Sequence, residues 1–166
     1  SGTSTGSFYA RFPTKDTLLP ALYARYDRQL HTLSSDRDPA DATLEQLVEA
    51  IIRRVIDRLR RRRWLTHAVA LHARLHPELI PAEMRRRRND LHREWRDLVL
   101  AHRKRIGHPD PESAVALGLF TVITACREKI VFSGAPHASS FALSDDRLVE
   151  EMVRCFLNYL EVEIQT

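Results

Sequence analysis

The chain has 166 residues, 43% hydrophobic and 29% charged, with a formal net charge of +4. That length suits one compact domain with the stub of a second, and it can bury a core without disulfide or metal staples. No apolar run reaches the roughly 18 residues that span a bilayer and no signal-peptide pattern is present, so a cytoplasmic protein with no membrane partner is expected.

In chain order, Gly2 to Leu19 predicts a turn, a short helix and the start of a longer one. Ser4 suits the cap of the short helix and Thr14 that of the next, where Asp16 meets the positive end of the helix dipole, while Pro13 separates the two. Small residues, hydroxyls and a phenol on a short helix, followed by a lysine at a helix start, have the chemistry of a major-groove DNA reader. From Thr14 to about Leu33, Leu18, Leu19, Leu22, Tyr23, Tyr26 and Leu30 recur at helical spacing, with Pro20 predicting a bend. A break follows at 34–39, rich in Ser, Asp and Pro.

Thr43 caps a helix whose residues Leu44, Leu47, Val48, Ile51, Ile52, Val55, Ile56 and Leu59 form one continuous i, i+3, i+4 stripe, as a core-facing helix requires. The pattern restarts at Trp64 and runs to Pro77. A long polar helix is predicted from Pro81 to Ile106, stopped by Gly107 and Pro109. Pro111 to Ser133 is apolar around nearly its whole circumference, so this helix needs cover on every side. Within it Ala114, Gly118, Thr121 and Ala125 make a ridge of small residues that admits another helix closely. A loop over 134–143 leads to a final helix from about Asp145 to Glu163 with two apolar stripes, which imply two packing partners. No β-hairpin signal or internal repeat occurs, and the fold class expected is all-α.

Candidate chemistry is sparse. His72 and His76 share a helix face, but His67 points elsewhere and no carboxylate joins them, so no metal and no cofactor is expected. No nucleophile elbow, phosphate loop or dinucleotide motif is present, and the protein is expected not to be an enzyme. Cys126 and Cys155 lack any paired spacing and are expected to be reduced thiols. The runs at 60–63 and 85–88 are four successive arginines each; within helices they point all around the axis and make no single flat patch.

The order of residues from Gly2 to Leu19 matches G-x-S-x-G-x-F-Y-x-x-F-x-[ST]-K-x-x-L-L and resembles the TetR family of transcriptional regulators. The resemblance implies that residues 1–20 are the C-terminal part of a helix-turn-helix DNA-binding domain. Residues 21–166 would then be a ligand-binding and dimerisation bundle. It places Thr5, Gly6, Tyr9, Ala10 and Arg11 against double-stranded DNA and Thr14 and Lys15 on phosphate, with Phe8 and Phe12 packed inward. The two helices that support a recognition helix are not in this sequence, so the 166-residue chain by itself is expected to bind DNA poorly.

A small apolar or aromatic effector is expected among the middle helices, near Trp64, His72, Met84, Trp95 and Phe120. A homodimer is expected through Ala114, Gly118, Thr121, Ala125, Met152 and Phe156. The implied function is a ligand-responsive dimeric repressor. The alternative is a helical protein–protein interaction module without DNA binding.

Overall fold

The computed structural model describes residues 10, 15–28 and 42–162. Thr5, Gly6, Tyr9, Arg11 and Thr14 therefore lie outside the described residues, as does the break expected at 34–39; Ala10 is helical and exposed. The described part is all-α, with seven helices and no strand.

Helix α1, Lys15–Arg28, runs without interruption across the expected domain boundary at residue 20 and contains Pro20. Helix α2, Leu44–Arg61, is the centre of the bundle and packs most extensively on α5, Pro111–Val131, and α7, Asp145–Tyr159. Its start is fixed by a reciprocal cap. The Gln46 N–H donates to Thr43 Oγ1 at 3.3 Å, and the Thr43 N–H donates to Gln46 Oε1 at 3.0 Å, which satisfies two donors a helix end otherwise leaves orphaned. All eight residues of the predicted stripe are buried, each contributing about 1.5–3 kcal/mol through loss of hydrated apolar surface.

Helix α5 starts at Pro111, capped by Asp110, whose carboxylate accepts the Ser113 N–H at 3.2 Å. Gly118 on α5 faces the Phe156 ring of α7 so closely that an added Cβ would lie 2.5 Å from its Cε2 atom. Ala114 and Gly118 are buried within the single chain, and Phe156 is 2% exposed. The first half of the small-residue ridge thus joins α5 to α7 of the same chain. Ser144 caps α7 by accepting the Arg147 N–H, and the Leu160 carbonyl beyond its end accepts the N–H groups of Gly107 and His108.

Three boundaries differ from the sequence expectation. Helix α4, Ala82–Leu100, ends six residues before Ile106 and gives way to a tighter turn at Arg103–Arg105. This turn buries Ile106 in the core and brings Arg105 onto Glu45, with N–O distances of 2.8 and 2.7 Å. The expected loop at 134–143 contains a one-turn helix, α6, Pro136–Ser139, held by the Lys129 ammonium, which donates to the carbonyls of Ala138 and Phe141. Helix α7 ends at Tyr159, and Glu161 then takes a positive φ of 54°, a conformation that cannot continue a helix.

Helix α3, Arg63–Leu75, packs on α1 and α5. Tyr23, Val69 and Met84 form a small core of their own between α1, α3 and α4, separate from the main one. Among the described residues no helix is long and apolar enough to cross a membrane.

Candidate functional site

The largest described concavity, about 430 Å³, lies where α1 to α5 meet. That size is ordinary for a small-molecule site. Its origin is local. On α3, the inward positions Ala70 and Ala73 carry almost no side chain, so that helix cannot fill the space facing α2 and α4. Much of the wall is apolar, including Val55, Leu59, Val69, Leu91 and Ile123, with Phe120 at the edge; Thr66, Asn89, His92 and Thr124 add neutral polar groups.

Four arginines enter this wall from four helices: Arg58 of α2, Arg74 of α3, Arg88 of α4 and Arg127 of α5. No Asp or Glu lines the cavity. One carboxylate behind the wall, Glu128, serves two of the four. It accepts from Arg74 Nη2 at 2.5 Å and lies 3.6 Å from Arg127 Nε. The second separation is too long for a hydrogen bond, and Arg127 Nε is buried without an acceptor, an arrangement that costs about 1–3 kcal/mol. Arg58 stacks over the Tyr26 ring, 5.3 Å from its centroid, and neither Arg58 nor Arg88 has an ion-pair partner among the described residues.

Protonation follows this field. Burial pushes the Arg58 pKa down, the Tyr26 phenol partly offsets that, and the charges of Arg88 and Arg62 reinforce it. His92 is lowered by lost hydration first and by Arg88 second, because a further positive charge in this concavity is unfavourable. Tyr23 is raised, chiefly by burial, with Arg88 opposing.

Helix α1 is part of the wall. Tyr26 of α1 lines the cavity, and one turn earlier the Tyr23 hydroxyl lies 2.8 Å from His72 Nδ1 on α3. A second groove of about 270 Å³, bordered by Trp95, lies beside the cavity and shares His92 and Phe120 with it. A third, of about 260 Å³, runs between α5 and α7 and is lined by Leu117, Gly118, Thr121, Cys155, Phe156 and Tyr159 among others.

The expected effector residues are dispersed. Phe120 borders the main cavity and Trp95 the adjoining groove. Met84 is buried in the small core beneath α1, and His72 is engaged with Tyr23. Trp64 stands 78% exposed under the Arg63 guanidinium and lines none of these spaces. Of the expected interface set, Ala114, Gly118 and Phe156 are buried within the single chain; Thr121 is exposed, and Ala125 and Met152 are half-buried. Lys15 opens α1.

The residues missed were Tyr26, Arg58, Arg88 and Arg127. They left a signal in the sequence: Arg88 stands in register with Met84, Leu91 and Trp95, Arg127 with Ile123 and Ile130, and Arg58 with Leu44 and Ile51, so each interrupts an apolar stripe. The arginine runs separate as their spacing requires. Arg60 pairs with Asp145 and Arg86 and Arg87 with Glu83, while Arg88 turns to the cavity. Among the described residues no group of three His, Cys, Asp or Glu side chains is placed to hold a metal. Comparison with protein-family models, curated proteins and solved structures finds no match for this chain.

Proposed function

We propose that the chain is the regulatory part of a ligand-responsive, dimeric, TetR-like transcriptional repressor, in which the cavity between α1 and α5 receives the effector. The observation that carries this reading is Tyr26: it belongs to the helix leading out of the TetR-like segment, and it forms part of the cavity wall. A ligand seated there touches the connecting helix directly. If it binds one setting of α1 ten times better than the other, the preference of about 1.4 kcal/mol is enough to shift operator occupancy. In a dimer, small rotations at the core become larger displacements at reading heads spaced one DNA turn apart.

The test is a Tyr26→Ala variant of the full-length protein, assayed for ligand binding by thermal shift and for operator binding by fluorescence anisotropy. Effector binding is expected to survive, weakened, while ligand-driven operator release falls at least tenfold. Unchanged release would remove α1 from the switch. A specific feature also favours the interaction-module alternative: Leu117, Thr121, Cys155 and Tyr159 are exposed together along α5 and α7. Sedimentation separates the two. A dimer that Leu117→Arg converts to a folded monomer supports the repressor, whereas a monomer at micromolar concentration leaves the face to a different protein.

A further inference from the structure

We propose that the ligand of this cavity is an amphiphilic anion, an oxyanion head held by Arg58, Arg88 and Arg127 on an apolar body that fills the rest of the space. The inference rests on the reading of the cavity as an effector site and specifies the chemistry of what enters it.

Each of the three arginines occupies a position that helical periodicity assigns to an apolar side chain, on a different helix, and all three line one cavity. Surface cations need no such register. The wall contributes no carboxylate, Arg58 meets a phenol ring in place of an acid, and the Arg127 Nε–H points at no acceptor. Guanidiniums gathered in a low-dielectric concavity focus a positive field, and planar forks with free N–H groups match carboxylate and phosphate oxygens. Ordinary packing explains none of this, since a charged group at a core register is unfavourable unless something pairs with it.

The remaining wall sets the second half of the ligand. Val55, Leu59, Val69, Leu91 and Ile123 offer no hydrogen bonds and outnumber the polar Thr66, Asn89, His92 and Thr124, so a small inorganic ion leaves most of the 430 Å³ unfilled. A concavity of that volume suits a compact molecule and not a polymer backbone.

Calorimetric titration of the 166-residue chain, at fixed ionic strength, with decanoate, decyl phosphate, decanol and inorganic phosphate tests the assignment. Decanoate or decyl phosphate is expected to bind at least tenfold more tightly than either decanol or inorganic phosphate, and the tighter of the two identifies the head as carboxylate or phosphate. Arg58→Gln and Arg88→Gln are each expected to weaken the preferred acid at least tenfold and to leave decanol unchanged. Arg93→Gln, on the adjoining groove, serves as the control. Because Arg88→Gln removes an unpaired charge, its melting temperature is expected to hold or rise, which keeps that variant informative if Arg58→Gln fails to fold. Equal binding of decanol and the acids, inorganic phosphate matching decyl phosphate, no binding of either acid, or acid affinity indifferent to both substitutions overturns the inference. Acid binding that leaves operator affinity of the full-length protein unchanged overturns the regulatory reading and leaves the anion assignment standing.

Discussion

Two regions that share a wall are packed in opposite ways. Where α2 meets α5 and α7, a void between them is about 10 Å³, at the lower limit for one water. Val55 and Ile123 line it, and the same two residues line the cavity of about 430 Å³ on their other side. Helical spacing continues through both regions. What differs is the side chain at each inward position: Gly118 and Ala114 bring helices together, and branched aliphatics close the gaps. On the cavity side, alanines remove bulk from α3 while long cations occupy the opposing registers. An arginine repelled by its neighbours cannot collapse into the space as a leucine does. Packing and charge therefore divide one helical bundle into a half closed around α2, grooved only on its outer α5–α7 surface, and an open half.

The strongest way to break this comparison is to open the closed half. Phe156→Ala is expected to cost about 3–5 kcal/mol, since it empties a site the surrounding helices cannot refill. Gly118→Ala should cost about 1–3 kcal/mol, because the new methyl meets a buried ring and not a flexible chain end. Both values come from chemical denaturation. A neutral Gly118→Ala would mean that α5 and α7 slide freely, contrary to close packing.

The complementary change closes the open half. Ala73→Leu places an aliphatic side chain in the cavity and is expected to weaken decanoate binding at least tenfold, with the melting temperature unchanged or raised. A large drop in melting temperature would show that the space is already filled.

The smallest expected effect concerns the ion pair that ties the α4–α5 connection to the start of α2. Glu45 has a lowered pKa, first because Arg105 hydrogen-bonds its carboxylate. The ionised form is thus favoured in the folded state, so its contribution is complete above the ordinary glutamate pKa of about 4.3. It is lost as the pH falls through the lowered folded value. In Arg105→Gln the melting temperature should be slightly lower than in the unaltered protein at pH 7, and the two should converge as the pH falls below that point. Equal acid slopes in the two proteins would show that the pair contributes nothing, as exposed ion pairs often do.

Local signals were sufficient for most of the architecture. Thr43, Asp110 and Ser144 cap helices because a short side-chain oxygen meets a free N–H within the same turn. The α2 stripe buries as its period dictates. Helix ends at Leu100 and Tyr159 were less legible, since each is decided by a partner distant in sequence: Glu45 for Arg105, and Gly107 and His108 for the Leu160 carbonyl.

The cavity shows the same division. Its arginines were marked in the sequence by their intrusion into apolar registers, yet large aromatic and sulfur side chains drew attention instead, and Trp64 and Met84 went respectively to the surface and into a separate small core. Composition and periodicity by themselves determined an all-α chain with its long helices and their apolar faces, because capping and amphipathicity act within a few residues. Only the tertiary structure decided which faces touch, that Gly118 receives the Phe156 ring, and that four arginines far apart in sequence line one space. Those outcomes depend on how helix surfaces fit across distances that no local pattern encodes.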